Sequence, residues 1–452
     1  MLYLHIPFCK QACSYCNFHF STSMKTRPAV LAAMAKELRM RRAELPAGQL
    51  PSVYFGGGTP SLLTEAELND IFAVLRAEGY VGAAVVTERS RNAGAGNGES
   101  SVDEAGDSPD ASAERDKTGN VAFSTTVSAR SKGQLSARPT SQELPPRLGG
   151  RAEITLEANP DDLDDRTIAT LAASPINRLS IGIQSFFEKD LTFMNRAHNA
   201  AEARAAVAKV NRAGFHDVSI DLIYGGQTTT DAMWAENLRI ATDLGVTHIS
   251  AYALTVEPKT ALGVRVAKGK IADTDDTKFD RHFNMLVDHL TSHGYRHYEV
   301  SNFCLPGHES RHNSGYWSGQ PYLGVGPGAH DFDGHRTRRW NVSNNAAYAK
   351  AWAEITSPAD LAAANGFLYE QEVLTDNDRY NEYIMTGLRR DVGVSLAEME
   401  RLFGAEKARY FIDSQQGNLA QGLFLPNDTG LYRLSRAGVM RADGVAGDGF
   451  WV

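Results

Sequence analysis

Only four cysteines occur in 452 residues, too few for the disulfide framework of a small secreted chain. No apolar run approaches the ~18 residues that a membrane span needs. Positive charge is in the minority: 46 Lys and Arg stand against 54 Asp and Glu, for a formal net charge of −8. Nothing global therefore draws the chain to nucleic acid or to an anionic membrane. The remaining composition is that of a soluble globular protein, 42% hydrophobic and 22% charged. Its length allows two or three domains, or one barrel with an appendage. A strand-like run begins at Leu2 and leaves no room for a targeting peptide ahead of it, so a reducing cytoplasm is the expected compartment.

Three of the four cysteines are bunched. Cys9, Cys13 and Cys16 form a C-x3-C-x2-C loop. A structural zinc site wants four ligands, usually as two separated pairs, and there is no second pair. Three thiolates on one short loop can hold three irons of a [4Fe-4S] cluster and leave the fourth iron open. S-adenosylmethionine can chelate that iron through its amino and carboxylate groups. A reduced cluster can then cleave a C–S bond to release a 5′-deoxyadenosyl radical.

Through the first two thirds of the chain, near-continuous apolar runs alternate with helical patterns. The predicted strands are Leu2–Ile6, Ser52–Phe55, Glu153–Glu157, Arg178–Ile183, Val218–Tyr224 and His248–Leu254. Helical patterns between them include Ala29–Arg42, Glu65–Ala77, Ala200–Ala213 and Ala232–Leu244. Six βα units predict an α/β fold: a partial (β/α)6 TIM-like barrel over residues 1–303, with its site at the C-terminal strand ends. Residues 86–150 are rich in Ser, Gly, Ala, Asp, Glu, Arg and Pro and are read as a disordered insertion. Residues 304–345 form a Gly/His/Arg-rich connection, where Gly324–His330 reads as a loop closing the barrel side. Residues 346–452 form an α-rich, winged-helix-like domain with helices at Tyr380–Arg390, Leu396–Phe403, Ala405–Phe411 and Ser435–Arg441. A DNA-binding role for that domain is disfavoured, because it has no dense basic patch.

Further polar residues sit at the strand ends. Gly56-Gly57-Gly58-Thr59-Pro60-Ser61 follows the second strand; a glycine triplet alone is usually a turn, but beside a cluster loop it lets backbone approach a ligand. Glu157 ends the third strand and suits ribose hydroxyls, or else caps a helix. Gln184 and Arg196 follow the fourth. Asp221 lies inside an apolar strand, which is costly without a partner.

These motifs resemble, in order, those of the radical S-adenosylmethionine proteins of the coproporphyrinogen oxidase-like group, and most of all its haem chaperones. The resemblance rests on Tyr3–Cys9, Cys13–Phe18, the Gly-Gly-Gly-Thr-Pro-Ser run, Arg178–Phe186 and Tyr298–Phe303. It implies Cys9, Cys13 and Cys16 as cluster ligands. It also implies S-adenosylmethionine contacts from Tyr3, Tyr15, Gly57, Gly58, Thr59, Glu157, Gln184, Arg196, Asp221 and Ala253. The oxidative decarboxylases of the group carry a further cysteine two residues after the third and a longer N-terminal segment; here Phe18 stands at that position and the chain begins at the first strand. The resemblance thus implies a haem chaperone that binds the cluster, S-adenosylmethionine and haem. It would pass haem to acceptor haemoproteins, membrane-bound respiratory ones among them, and would need an electron donor. The alternative is an oxygen-independent coproporphyrinogen III dehydrogenase.

The run Arg311–Trp317 contains an H-N-x-x-Y-W pattern resembling the one proposed for haem binding. His312 is the candidate iron ligand, with Cys304 and His308 as alternatives, although a His-Asn pair often bonds only locally. Arg336, Arg338 and Arg339 could meet the propionates, or form a solvated basic patch. One departure stands out: Tyr224-Gly225-Gly226-Gln227-Thr228 lacks two residues of the relatives' loop, which puts the geometry near Asp221 in doubt.

Overall fold

A computed structural model describes residues 1–82, 151–427 and 429–452. The expected insertion at 86–150 lies outside the described residues. Six strands form where the apolar runs predict them: β1 (Leu2–Ile6), β2 (Ser52–Gly57), β3 (Glu153–Ala158), β4 (Arg178–Gln184), β5 (Val218–Tyr224) and β6 (His248–Ala253). They pair in parallel and in chain order, as strands joined by crossover helices must. Capping boxes start two of those helices, Thr64 with Glu67 before Glu65–Ala77 and Asn199 with Glu202 before Ala200–Arg212.

The sheet has nine strands, three more than the six βα units supply. β8 (Asn302–Cys304) adds antiparallel to β6, β7 (Arg296–Glu299) adds antiparallel to β8, and β9 (Leu323–Val325) adds parallel to β1, giving the order β7-β8-β6-β5-β4-β3-β2-β1-β9. The stretch expected as a loop closing the barrel side thus includes part of a strand. Strands of three or four residues are too short to show a period in sequence.

One apolar core lies between the sheet and its helices. Leu2, Leu4, Phe55, Leu156, Ile181, Leu222 and Ile249 are fully buried within it. Tyr348, Trp352, Leu368 and Tyr369 join the same core, because the helix Asn345–Glu354 packs on the helix Arg27–Arg41. The separate C-terminal core therefore begins at Tyr380, not at residue 346, and is built on Ile384, Met399, Phe411 and Val445. It contains the helices Asp376–Leu388, Leu396–Phe403 and Ala405–Ser414 and a ribbon pairing Val394–Ser395 with Leu431–Tyr432. The single closing helix expected at 435–441 is two, Arg436–Val439 and Ala442–Asp448. No helix among the described residues is long and apolar enough to cross a membrane.

Candidate functional site

The cysteine loop leaves the end of β1 and is tied down along its length. Cys9 N donates to Ser21 O at 3.0 Å, Ser14 N to Met194 O at 2.9 Å and Leu262 N to Ser14 O at 2.7 Å. Asn195, in the left-handed region at φ 55°, donates from Nδ2 to Ala12 O at 2.7 Å. These bonds bring Cys9, Cys13 and Cys16, all free and partly buried, to one side of a cavity of about 400 Å³ at the C-terminal strand ends. That volume falls within the ~300–1,000 Å³ of ordinary ligand sites.

The glycine triplet has a steric reason. Gly58 N donates to Ile6 O at 2.9 Å and Thr59 N to Phe8 O at 2.7 Å, so the end of β2 lies directly against the start of the cysteine loop. At Gly57, with φ 108°, a Cβ would stand 2.6 Å from the His5 ring, and at Gly58 it would meet Phe8 N at 2.7 Å. Thr59 Oγ1 donates to Cys9 Sγ at 3.4 Å.

Arg196 reaches the cavity from beyond β4. Its Nη1 donates to Cys13 Sγ at 3.2 Å, and its Nη2 to Asn159 Oδ1 at 2.6 Å and Gly182 O at 2.8 Å. Its Nε is buried without a partner. Gln184 takes a left-handed φ of 65° at the end of β4 and lines the same cavity, as do Tyr15 and Ala253. Glu157 accepts from Tyr54 OH at 2.8 Å and from Gly57 N at 3.1 Å. Burial nevertheless pushes its carboxyl up to about 7, with the nearby charge of Asp221 adding to the effect. Asp221 sits mid-strand opposite Ser250, and burial raises it to about 6 against the opposing pull of the Ser250 hydrogen bond. Its predicted need for a partner is thus met by neighbouring hydroxyls, Ser180 included. The shortened loop after β5 does not disturb it: β5 pairs with β6 through Tyr224, and Gly225 N donates to His282 Nδ1 at 3.1 Å.

Twelve of the thirteen cluster and S-adenosylmethionine candidates, Asp221 and Glu157 among them, line this cavity. Tyr3 is the exception. It lines an inner cavity of about 240 Å³ that shares Glu157, Ser180, Asp221 and Tyr252 with the outer one. Asn159, Tyr54, Ser180 and Tyr252 were not anticipated. Asn159 had a signal, since it opens the turn directly after the Glu157 strand; the others are strand residues whose facing depends on register. The donor set suits a cluster: three thiols, a guanidinium with one free N–H, and glycines that admit backbone. Burial raises the Cys9 thiol to about 11 and also raises Cys16, so thiolate formation there calls for cationic iron. Phe18, 69% exposed, stands at the mouth of the cavity and brings no thiol.

The haem candidates lie apart. His312 starts a short helix, Arg311–Trp317, and faces the inner cavity with 2% exposure. Its Nδ1 shares a hydrogen bond with Ser52 Oγ and its Nε2 with Tyr316 OH, each at 2.9 Å. Burial lowers its pKa to about 3. Cys304 is buried within β8, and His308 Nδ1 lies 3.6 Å from Asp217 Oδ1. The three arginines are not a free propionate patch: Arg336 pairs with Asp376, Arg338 with Glu382 at 2.9 Å, and Arg339 with Glu44 at 2.8 Å.

The family model of the radical SAM superfamily matches residues 111–241. A Mycobacterium tuberculosis (strain CDC 1551 / Oshkosh) protein named heme chaperone HemW is 32% identical over 412 residues, covering 90% of this chain and 85% of that one. The Bacillus subtilis protein of the same name is 26% identical over 433 residues, covering 95% and 94%. The solved coproporphyrinogen III oxidase HemN of Escherichia coli superposes with a TM-score of 0.72 at 18% identity, covering 99% of this chain and 89% of that one, a likeness of fold. The cysteine loop, the strand-end residues and this similarity over most of both chains show that the chain belongs to the HemW family of radical SAM proteins.

Proposed function

We propose that this protein is a cytoplasmic haem chaperone, which holds a [4Fe-4S] cluster, S-adenosylmethionine and haem and passes haem to acceptor haemoproteins. The observation that carries the reading is the 32% identity to a protein named heme chaperone over 90% of this chain. It is supported by Phe18 at the position where the decarboxylases carry a further cysteine. Cys9, Cys13 and Cys16 hold the cluster. Arg196, with its free Nε, and the backbone at Gly57, Gly58 and Thr59 receive the methionine part of the cofactor. Glu157 accepts from its ribose hydroxyls, and Tyr3, Tyr15, Gln184, Asp221 and Ala253 complete the pocket. When bound and reduced by an electron donor, the cluster supplies one electron to S-adenosylmethionine. Acceptors include membrane-bound respiratory haemoproteins.

Two assays on one anaerobically reconstituted preparation test the proposal. The protein should show cluster absorption that a Cys13→Ala variant lacks, and it should take up haemin with a Soret band. Conversion of coproporphyrinogen III to vinyl products under reducing conditions would overturn the chaperone reading in favour of the dehydrogenase.

A further inference from the structure

Two of the cluster thiols accept a hydrogen bond from a side chain. Thr59 Oγ1 donates to Cys9 Sγ at 3.4 Å, and Arg196 Nη1 donates to Cys13 Sγ at 3.2 Å. Both donors meet the same third side chain, Asn159. Its Oδ1 accepts from Arg196 Nη2 at 2.6 Å, and its Nδ2 donates to Thr59 Oγ1 at 3.2 Å. Cys13, Arg196, Asn159, Thr59 and Cys9 thus form one continuous line of hydrogen bonds. The middle of the line is anchored: Asn159 N donates to Ser61 Oγ at 3.3 Å, and Ser61 Oγ donates to Asp162 Oδ2 at 2.7 Å.

The line has a fixed polarity. A guanidinium donates and does not accept, so the Asn159 amide turns its oxygen to Arg196 and its NH2 to Thr59. A hydroxyl carries a single proton. Because Thr59 Oγ1 already accepts from Asn159, that proton is left for Cys9 Sγ. An acceptor in place of the Asn159 NH2 would take the proton and leave Cys9 without it. On the other side, Arg196 Nη2 is shared between Asn159 and Gly182 O, the latter at 2.8 Å. Those two acceptors set the plane of the guanidinium and direct its Nη1 to Cys13.

Hydrogen bonds to the sulfurs of an iron–sulfur cluster help set its reduction potential. Each donor stabilises the reduced form, which is the more negative one, and groups that orient the donors act on the metal through them. We propose that Asn159 is a positioning residue for the reduction potential of the cluster. By orienting Arg196 and Thr59 it keeps one donor on Cys13 and one on Cys9, and so makes the cluster easier to reduce. The inference rests on the cluster reading above. Asn159 itself bonds to none of the three cysteines among the described residues; its effect passes through its two neighbours.

The test is a redox titration of the reconstituted full chain without S-adenosylmethionine. It is read by electron paramagnetic resonance of the reduced cluster, with cluster absorption and iron content as the loading control. Asn159→Ala releases both donors and should lower the ratio of reduced to oxidised cluster about tenfold at a fixed potential, which for one electron is ~59 mV. Asn159→Asp has the same size and keeps an acceptor for Arg196, but its second oxygen takes the Thr59 proton, so it should lower the ratio as well. In a Thr59→Val background there is no hydroxyl to orient, and either substitution should have a smaller effect than in wild type. Where Asn159→Ala loads no cluster, Asn159→Asp with and without Thr59 decides. Loaded variants with the wild-type potential overturn the proposal. A potential moved by Asn159→Asp and not by Asn159→Ala reports only the added charge and overturns it too. Shifts of equal size with and without Thr59 overturn the route to Cys9. Wild-type protein that loads no cluster overturns the cluster reading itself.

Discussion

Glu157 places a carboxyl in surroundings that disfavour its charge, and this has a measurable consequence. Its folded pKa of about 7 lies above the ordinary 4.5. The neutral acid is therefore favoured on folding, and its contribution to stability, full below about pH 4.5, is lost as pH rises to about 7. A Glu157→Gln variant stays neutral throughout. Its amide keeps one acceptor oxygen in place of the two that receive Tyr54 OH and Gly57 N, a loss present at every pH, so the readout is the trend. Its melting temperature relative to wild type, without cofactor, should climb between pH 5 and pH 8; a flat difference would contradict the raised pKa. Bound ligand donors should bring the pKa of Glu157 down and flatten the same trend.

At the scale of elements, the helix Arg27–Arg41 is fastened by charge as well as by its apolar face. Glu37, fully buried, accepts from Arg41 Nη1 at 2.8 Å, Asn341 Nδ2 at 2.9 Å, Gly326 N at 3.0 Å and Tyr348 OH. Arg41, 1% exposed, also meets Asp331 at 2.6 Å. One helix is thus joined to β9, to the antiparallel strands after it and to the helix Asn345–Glu354. Removing Glu37 takes one carboxylate from the buried Arg41 and leaves the buried donors Gly326 N and Tyr348 OH without that acceptor. Glu37→Ala should cost about 3–5 kcal/mol in denaturant unfolding, while Glu44→Ala on the same helix end, where Glu44 is 42% exposed, should cost under about 1 kcal/mol.

These elements also mark what sequence reading can reach. β1 to β6 were legible because each is a near-continuous apolar run followed by a helical period. The cysteine loop was legible because its ligands are adjacent in the chain. The buried role of Glu37 was not, since its partners Gly326, Asn341 and Tyr348 lie about 300 residues further on. The same holds for His312, whose partner Ser52 is 260 positions away. β7, β8 and β9 escaped because three or four residues hold no period, and the arginines at 336–339 looked free because Asp376, Glu382 and Glu44 reach them only in the fold.

At the scale of the whole molecule, both strands and the helix of the β2-to-β3 crossover lie within the described residues. β2 and β3 pair directly, from Ser52 opposite Glu153 to Phe55 opposite Leu156, and the helix Glu65–Ala77 lies between them in the chain. Glu153 N also donates to Pro51 O at 3.0 Å. The stretch 86–150 is poor in large apolar residues, the composition of a spacer rather than of a core. Replacing that stretch with a short Gly/Ser linker should therefore leave cluster absorption and haemin uptake unchanged; loss of the cluster would show that the segment contributes to it.

The position of β7 at the end of the nine-stranded sheet has one more effect. An open strand edge is a template on which other chains pair. Here Val300 N donates to Arg389 O at 2.9 Å and the Tyr298 carbonyl accepts from Asp391 N at 3.2 Å, so the C-terminal unit covers that edge. A chain cut after Leu374 would present that edge bare, and it should sediment as aggregate where the full chain stays in solution.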